Sequence, residues 1–207
     1  PKGPSRRNSP EIDGRSTKVK KMKKPKWVVQ KEQGQKADDK ATVWMFGLHA
    51  VRDALMNPGR VKLRLIVTLN AQNKLEDAIA ESGIEPELVD PRKFNAPLDP
   101  GSVHQGAALE VKPLDWGRLA DVVIGAEIPR VILLDRVTDP HNVGAILRSA
   151  EVLGASAVIG TRHHSAPETG ALAKTASGAL ERQPYLRVRN LADTMIELKG
   201  MGYTVLG

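Results

Sequence analysis

Asn142, Gly144 and Arg148 fall within ten residues of one another in the stretch DPHNVGAILRSAEVLGAS, residues 139–156. An asparagine at a helix start can accept a backbone N–H. A glycine two residues later lets another segment approach the helix closely. An arginine six residues on carries a permanent charge and a planar fork of donors, suited to a phosphate or to an oxyanion that forms during a reaction. The plain account of the same residues is a cap, a packing gap and a solvated arginine, or one paired with Glu151. On residue types alone, the plain account is the commoner one.

Other stretches offer less chemistry. ALAKTASG places Lys174 and Thr175 together, but a phosphate loop needs glycines where Glu168 and Ala173 stand. No G-x-G-x-x-G follows a candidate strand. His163 and His164 are adjacent, yet the chain has no cysteine and no acidic partner at ligand spacing, so no metal is expected. His104, in VHQGAALEV, suits either an RNA contact or stabilisation of its own turn.

The elements that must carry Asn142 and Arg148 follow from the hydrophobic pattern. VILLD, residues 131–135, is an apolar strand ending in an acid, of the kind buried inside parallel sheets. A helix over 142–153 follows, with Asn142 as its cap. Val143, Ile146, Leu147, Ala150, Leu153 and Gly154 make its apolar stripe, and Arg148 lies nearly opposite. Strands are predicted near 157–159, at 185–188 and at 203–206, with helices at 169–176 and 191–199. This alternation argues for a parallel α/β sheet. Ligands of such sheets bind beyond the carboxyl ends of the strands. Leu206 and Gly207 therefore stand where a cofactor site is expected to begin, and where the chain stops.

Upstream, residues 43–112 read as a smaller α/β unit. It has a helix at 48–56 closed by Asn57-Pro58-Gly59, strands at 61–68, 87–90 and 107–111, and helical composition over 73–82. Such a unit is large enough to fold alone. Residues 113–129 form a linker containing a short helix, and residues 130–207 hold the parallel sheet.

Charge divides the chain again. Its 207 residues carry a net +7, but residues 1–40 hold thirteen Lys/Arg against five Asp/Glu, a net +8, leaving −1 for the rest. Residues 1–42 thus read as a basic, disordered tail. In STKVKKMKKPK, Lys20, Lys21, Lys23, Lys24 and Lys26 are candidate RNA contacts, since each cation near a phosphate releases a counterion. Trp27 could stack on a base. The absence of cysteine suits a reducing compartment. With no apolar run of membrane-spanning length and no secretory signal, the expectation is a soluble, cytoplasmic protein without membrane contact.

The stretch LLDRVTDPHNVGAILRSAEVLGA resembles the first signature of the SpoU branch of the SPOUT RNA methyltransferases, and KTASGALERQPYLRVRNL resembles that family's middle section. FGLHAVRDAL and VHQGAALEV are similar to the small, ribosomal-protein-like substrate-binding domain that many members carry. Together the similarities cover most of residues 44–207. The resemblance implies transfer of a methyl group from S-adenosylmethionine to a ribose 2′-hydroxyl of RNA. Ribosomal RNA is favoured over transfer RNA by analogy with members that carry the extra domain. It also implies an α/β knot domain and a homodimer whose site spans the interface. Arg148 matches the family's catalytic arginine and Asn142 its accompanying asparagine. The two later signatures, a glycine-rich acidic loop and a Ser-Leu-Asn helix start, do not occur here. The expectation is therefore a SPOUT domain truncated before the knot. The alternative is a non-catalytic RNA-binding protein made of the small domain, a partial sheet and a basic arm.

Overall fold

A computed structural model of the chain describes residues 42–127 and 129–207. They form two sheets. The first has the order β1-β4-β2-β3, with β1 Val43–Phe46, β2 Lys62–Val67, β3 Pro86–Leu88 and β4 Ala107–Val111. β4 runs antiparallel to both β1 and β2, whereas β3 pairs parallel to β2. Helices α1 Leu48–Met56, α2 Leu69–Lys74 and α3 Glu76–Ser82 accompany it. The helical composition around residues 73–82 thus resolves into two short helices. Thr68 caps the first through its side chain, and the left-handed Gly83 ends the second.

The second sheet is parallel, in the order β5-β6-β7: Val131–Leu134, Ala157–Thr161 and Tyr185–Val188. Its helices are α4 Leu119–Val123, α5 Pro140–Val152, α6 Gly170–Ala176 and α7 Leu191–Gly200. Side chains of a strand alternate between faces. Ala157 and Ile159 of β6 accordingly join Leu119, Val123, Leu186 and Leu198 on one side, while Val158 joins Val143, Leu147, Leu172 and Ala176 on the other. The strand covered on both faces is the central β6. In β5, at one end of the strand order, only Leu134 is fully buried.

Three expectations are corrected. Helix α5 begins at Pro140, not at Asn142. Asp139 is the cap, accepting the His141 N–H at 3.0 Å, because proline lacks the N–H that a first-turn position would leave unpaired. The apolar stripe of α5 ends at Ala150. Leu153 is 61% exposed, since Gly154 turns left-handed and Ala155 N–H closes the helix on Ala150 O at 2.8 Å. Residues 203–206 do not pair as a strand. The Tyr203 amide returns to Leu198 O at 3.0 Å and its hydroxyl donates to Val123 O at 2.9 Å, which draws the segment onto α4 and α7.

The two sheets share one hydrophobic core. Helix α6 packs against β1 so closely that a Cβ on Gly170 would lie 2.2 Å from the carbonyl oxygen of Trp44. Beside this seam, Arg60, whose side chain has no exposure, meets two carboxylates. It donates to Glu181 at 2.6 and 3.0 Å, pairs with Glu168, and donates to Lys112 O at 2.9 Å. Glu181 also accepts from Asn57 at 2.8 Å, and Glu168 from the Leu114 amide at 3.2 Å. Burial holds the Glu168 carboxyl above its ordinary range, against the pull of Arg60. One guanidinium cannot neutralise two buried carboxylates.

Candidate active site

Helix α5 presents the two residues that the sequence singles out. Val143, Leu147 and Ala150 are buried beneath it, whereas Asn142 and Arg148 are exposed. Six residues separate them, which is about 9 Å along the axis and roughly 120° around it. They share a helix but not a face. Among the described residues Arg148 has no hydrogen-bond or ion-pair partner. Glu151, its candidate partner, is taken by Arg182 of the following segment. Val152, one turn beyond Arg148, is 84% exposed.

The residue that does share the face of Arg148 is His141, seven positions earlier. Its Nδ1 lies 3.3 Å from the Thr175 hydroxyl. That hydroxyl donates its hydrogen to Ala171 O at 3.0 Å. Its oxygen is then free to accept from His141 when Nδ1 carries a hydrogen. His141 lies inside the quoted motif, and counting seven residues back from Arg148 would have found it.

Gly144 makes this face possible. A Cβ there would sit 2.8 Å from Thr175 Cβ and 3.0 Å from the Ala176 nitrogen. Glycine is what allows α5 and α6 to touch, as the packing account of the sequence expects. Thr169 caps α6 by accepting Leu172 N–H at 3.2 Å, so the ALAKTASG segment is a packed helix.

His104 is engaged by its own turn. Nδ1 accepts the Gly106 N–H at 3.1 Å, Gln105 has φ 54°, and Gln105 Oε1 accepts the Leu48 N–H at the start of α1. The imidazole also stacks on Phe94, with ring centroids 4.0 Å apart. Lys20, Lys21, Lys23, Lys24, Lys26 and Trp27 lie outside the described residues.

At the carboxyl ends of the parallel strands there is an open cavity of about 530 Å³. Its walls come from Leu133 of β5 with Asp135 and Arg136 just after it, Thr161 at the end of β6 with His164 beyond it, and Arg189 and the start of α7 after β7. Sequence reasoning passed over these basic residues, although each follows a strand end closely. Leu206 is 89% exposed, and neither it nor Gly207 is among the residues that line this cavity.

The arrangement is that of an α/β protein whose parallel sheet presents a lone arginine from the helix after its first strand. Residues 129–207 match the SpoU rRNA Methylase family, and residues 44–116 match the RNA 2′-O ribose methyltransferase substrate binding domain. The 23S rRNA (guanosine-2′-O-)-methyltransferase RlmB of Vibrio cholerae is 37% identical over 177 residues, covering 79% of this chain and 68% of its own. RlmB of Escherichia coli K12 is 34% identical over 170 residues, covering 79% and 70%. The chain belongs to the SpoU rRNA methylase family. Among solved structures, the SpoU methyltransferase AviRb of Streptomyces viridochromogenes superposes with a TM-score of 0.61 at 20% identity, covering 80% of this chain and 61% of its own. The same protein in complex with AdoMet gives 0.57 at 19% identity, covering 81% and 63%. The chain thus spans about two thirds of the curated relatives' length and somewhat less of the solved structures'.

Proposed function

We propose that the protein is an S-adenosylmethionine-dependent RNA (ribose-2′-O)-methyltransferase acting on ribosomal RNA, with a guanosine of 23S rRNA as the target. The substrate follows curated relatives such as the RlmB proteins of Vibrio cholerae, Pseudomonas putida and Escherichia coli, and favours ribosomal over transfer RNA. The observation that carries the reading is Arg148. It is displayed on a helix whose opposite face is locked into the core, and it has no partner among the described residues.

A ribose hydroxyl is a weak nucleophile that must lose its proton as it attacks. Negative charge grows on the oxygen, and a preorganised cation there lowers the barrier. A guanidinium resists deprotonation, so Arg148 acts as an electrostatic clamp rather than as a base. Asn142, nearer the strand end, orients the nucleotide by hydrogen bonding. Leu206 and Gly207 would hold one edge of S-adenosylmethionine, which when bound supplies a methyl group activated on a sulfonium. Residues 43–112 grip the RNA, with the loop around His104 as one contact, and the tail lysines add affinity without sequence preference. A second copy of the chain completes the site as a homodimer in the cytoplasm. The family matches over both parts of the chain weigh against a non-catalytic RNA-binding protein.

The test is genetic and chemical. Deleting the encoding gene should leave one guanosine of 23S rRNA without its 2′-O-methyl group, as read by mass spectrometry of rRNA fragments. The wild-type gene should restore the mark, and an Arg148→Ala gene should not. An unchanged methylation map in the deletion strain rejects the proposal.

A further inference from the structure

The cavity beyond the parallel strands holds two arginines and a histidine that the reaction described above does not use. Arg136 follows β5 by two residues, His164 lies three residues after β6, and Arg189 directly follows β7. All three line the same cavity and are exposed to it. Neither arginine has a hydrogen-bond or ion-pair partner among the described residues, although Asp135 lines the same wall. Elsewhere the exposed arginines of this fold are commonly paired: Arg52 with Asp77, Arg64 with Glu87, Arg118 with Asp121 and Arg182 with Glu151.

Arg136 carries a second mark. Its φ is 56°, in the left-handed region that side chains other than glycine seldom occupy. The glycines at turns such as Gly83 and Gly154 show what local backbone preference would place there. Backbone held in such a region clusters at active sites, ligand clamps and switch regions.

We infer that Arg136 and Arg189 form a seat for a backbone phosphate of the RNA substrate, with His164 beside it. The proposal rests on the reading of the protein as an RNA enzyme and names a contact to the substrate's phosphodiester, not to its base. Arg136 and Arg189 follow β5 and β7, which flank β6, so the two guanidinium forks line one cavity from either side and suit the oxygens of a phosphodiester. A sulfonium cofactor would be repelled by the same pair. Sequence preference is not expected from this seat, because phosphate contacts position a nucleic acid without reading it.

The experiment uses the 207-residue chain and a fluorescein-labelled 20-nucleotide single-stranded RNA, with affinity read by anisotropy between 50 and 300 mM salt. Substituting both residues (Arg136→Ala with Arg189→Ala) should weaken binding about tenfold at low salt. It should also lower the slope of log K against log [salt] by about 0.7 for each phosphate released. Lys199→Ala, at the exposed C-terminal end of α7, should change neither quantity appreciably. Arg136→Gly removes the side chain and relieves the φ, so it should weaken binding while its melting temperature stays at or above that of the wild type. An arginine with a merely structural role would lower the melting temperature and leave the salt slope alone. If the wild type binds and the double variant keeps its affinity and slope, the phosphate seat is wrong and the RNA reading stands. If the wild type itself does not bind RNA, both fail.

Discussion

A Cβ placed on Gly144 would meet the Cβ of Thr175 at 2.8 Å, inside van der Waals contact. The two helices that meet there carry the candidate catalytic face, since Thr175 also holds His141, which shares that face with Arg148. Gly144→Ala should push α5 off α6. Overpacking a tight helix contact costs typically about 1–3 kcal/mol. Urea unfolding should show that loss, and Thr175→Ser in the same background, by removing a methyl group from the clash, should recover part of it. An unchanged midpoint would mean that the helices separate freely.

The seam between the two sheets depends on Arg60. Glu181→Ala would leave this fully buried guanidinium with Glu168 and the Lys112 carbonyl, and Asn57 without its carboxylate acceptor. Removing one partner of a buried pair costs about 3–5 kcal/mol. Thermal melts of Glu181→Ala should fall far more than those of Asp77→Ala, which removes an exposed partner of Arg52. Equal shifts would show that the buried cluster contributes no more than a surface pair.

Glu168 supplies a pH dependence. Burial raises its folded pKa above the ordinary 4.5, so the folded protein binds a proton there more readily than the unfolded chain does. The stability from this group is complete below about 4.5 and is lost as pH rises through the raised value. Glu168→Gln, which mimics the protonated carboxyl, should flatten this fall. Urea unfolding of wild type and variant at half-unit steps from pH 4 to pH 8 measures it. Parallel pH profiles would assign the effect to other groups.

Arg148 should separate stability from catalysis. It has no partner among the described residues, so Arg148→Ala should shift stability by no more than about 0.5 kcal/mol. If it stabilises charge as the ribose oxygen attacks, single-turnover methylation by the natural protein should drop by roughly two to three orders of magnitude. Arg148→Lys should rescue poorly, since an ammonium lacks the planar fork. Near-normal turnover of the alanine variant would return Arg148 to the role of a solvated helix residue.

Sequence alone determined what rests on neighbours in the chain. The bounds of α1, β4 and β7 agree with the pattern because hydrophobic period, turn residues and strand length are local properties. The outward placement of Arg148 also follows from helical period alone. Tertiary structure decided what depends on distant segments. β1 is four residues long and exists through pairing with β4, more than sixty residues away. The buried charge of Arg60 is held by Glu181, 121 residues on, and no local signal joins them. Arg136 and Arg189 look like ordinary surface arginines until parallel pairing brings the ends of β5, β6 and β7 side by side. Period and propensity act over a few residues, whereas sheet order and burial set which distant side chains share a site.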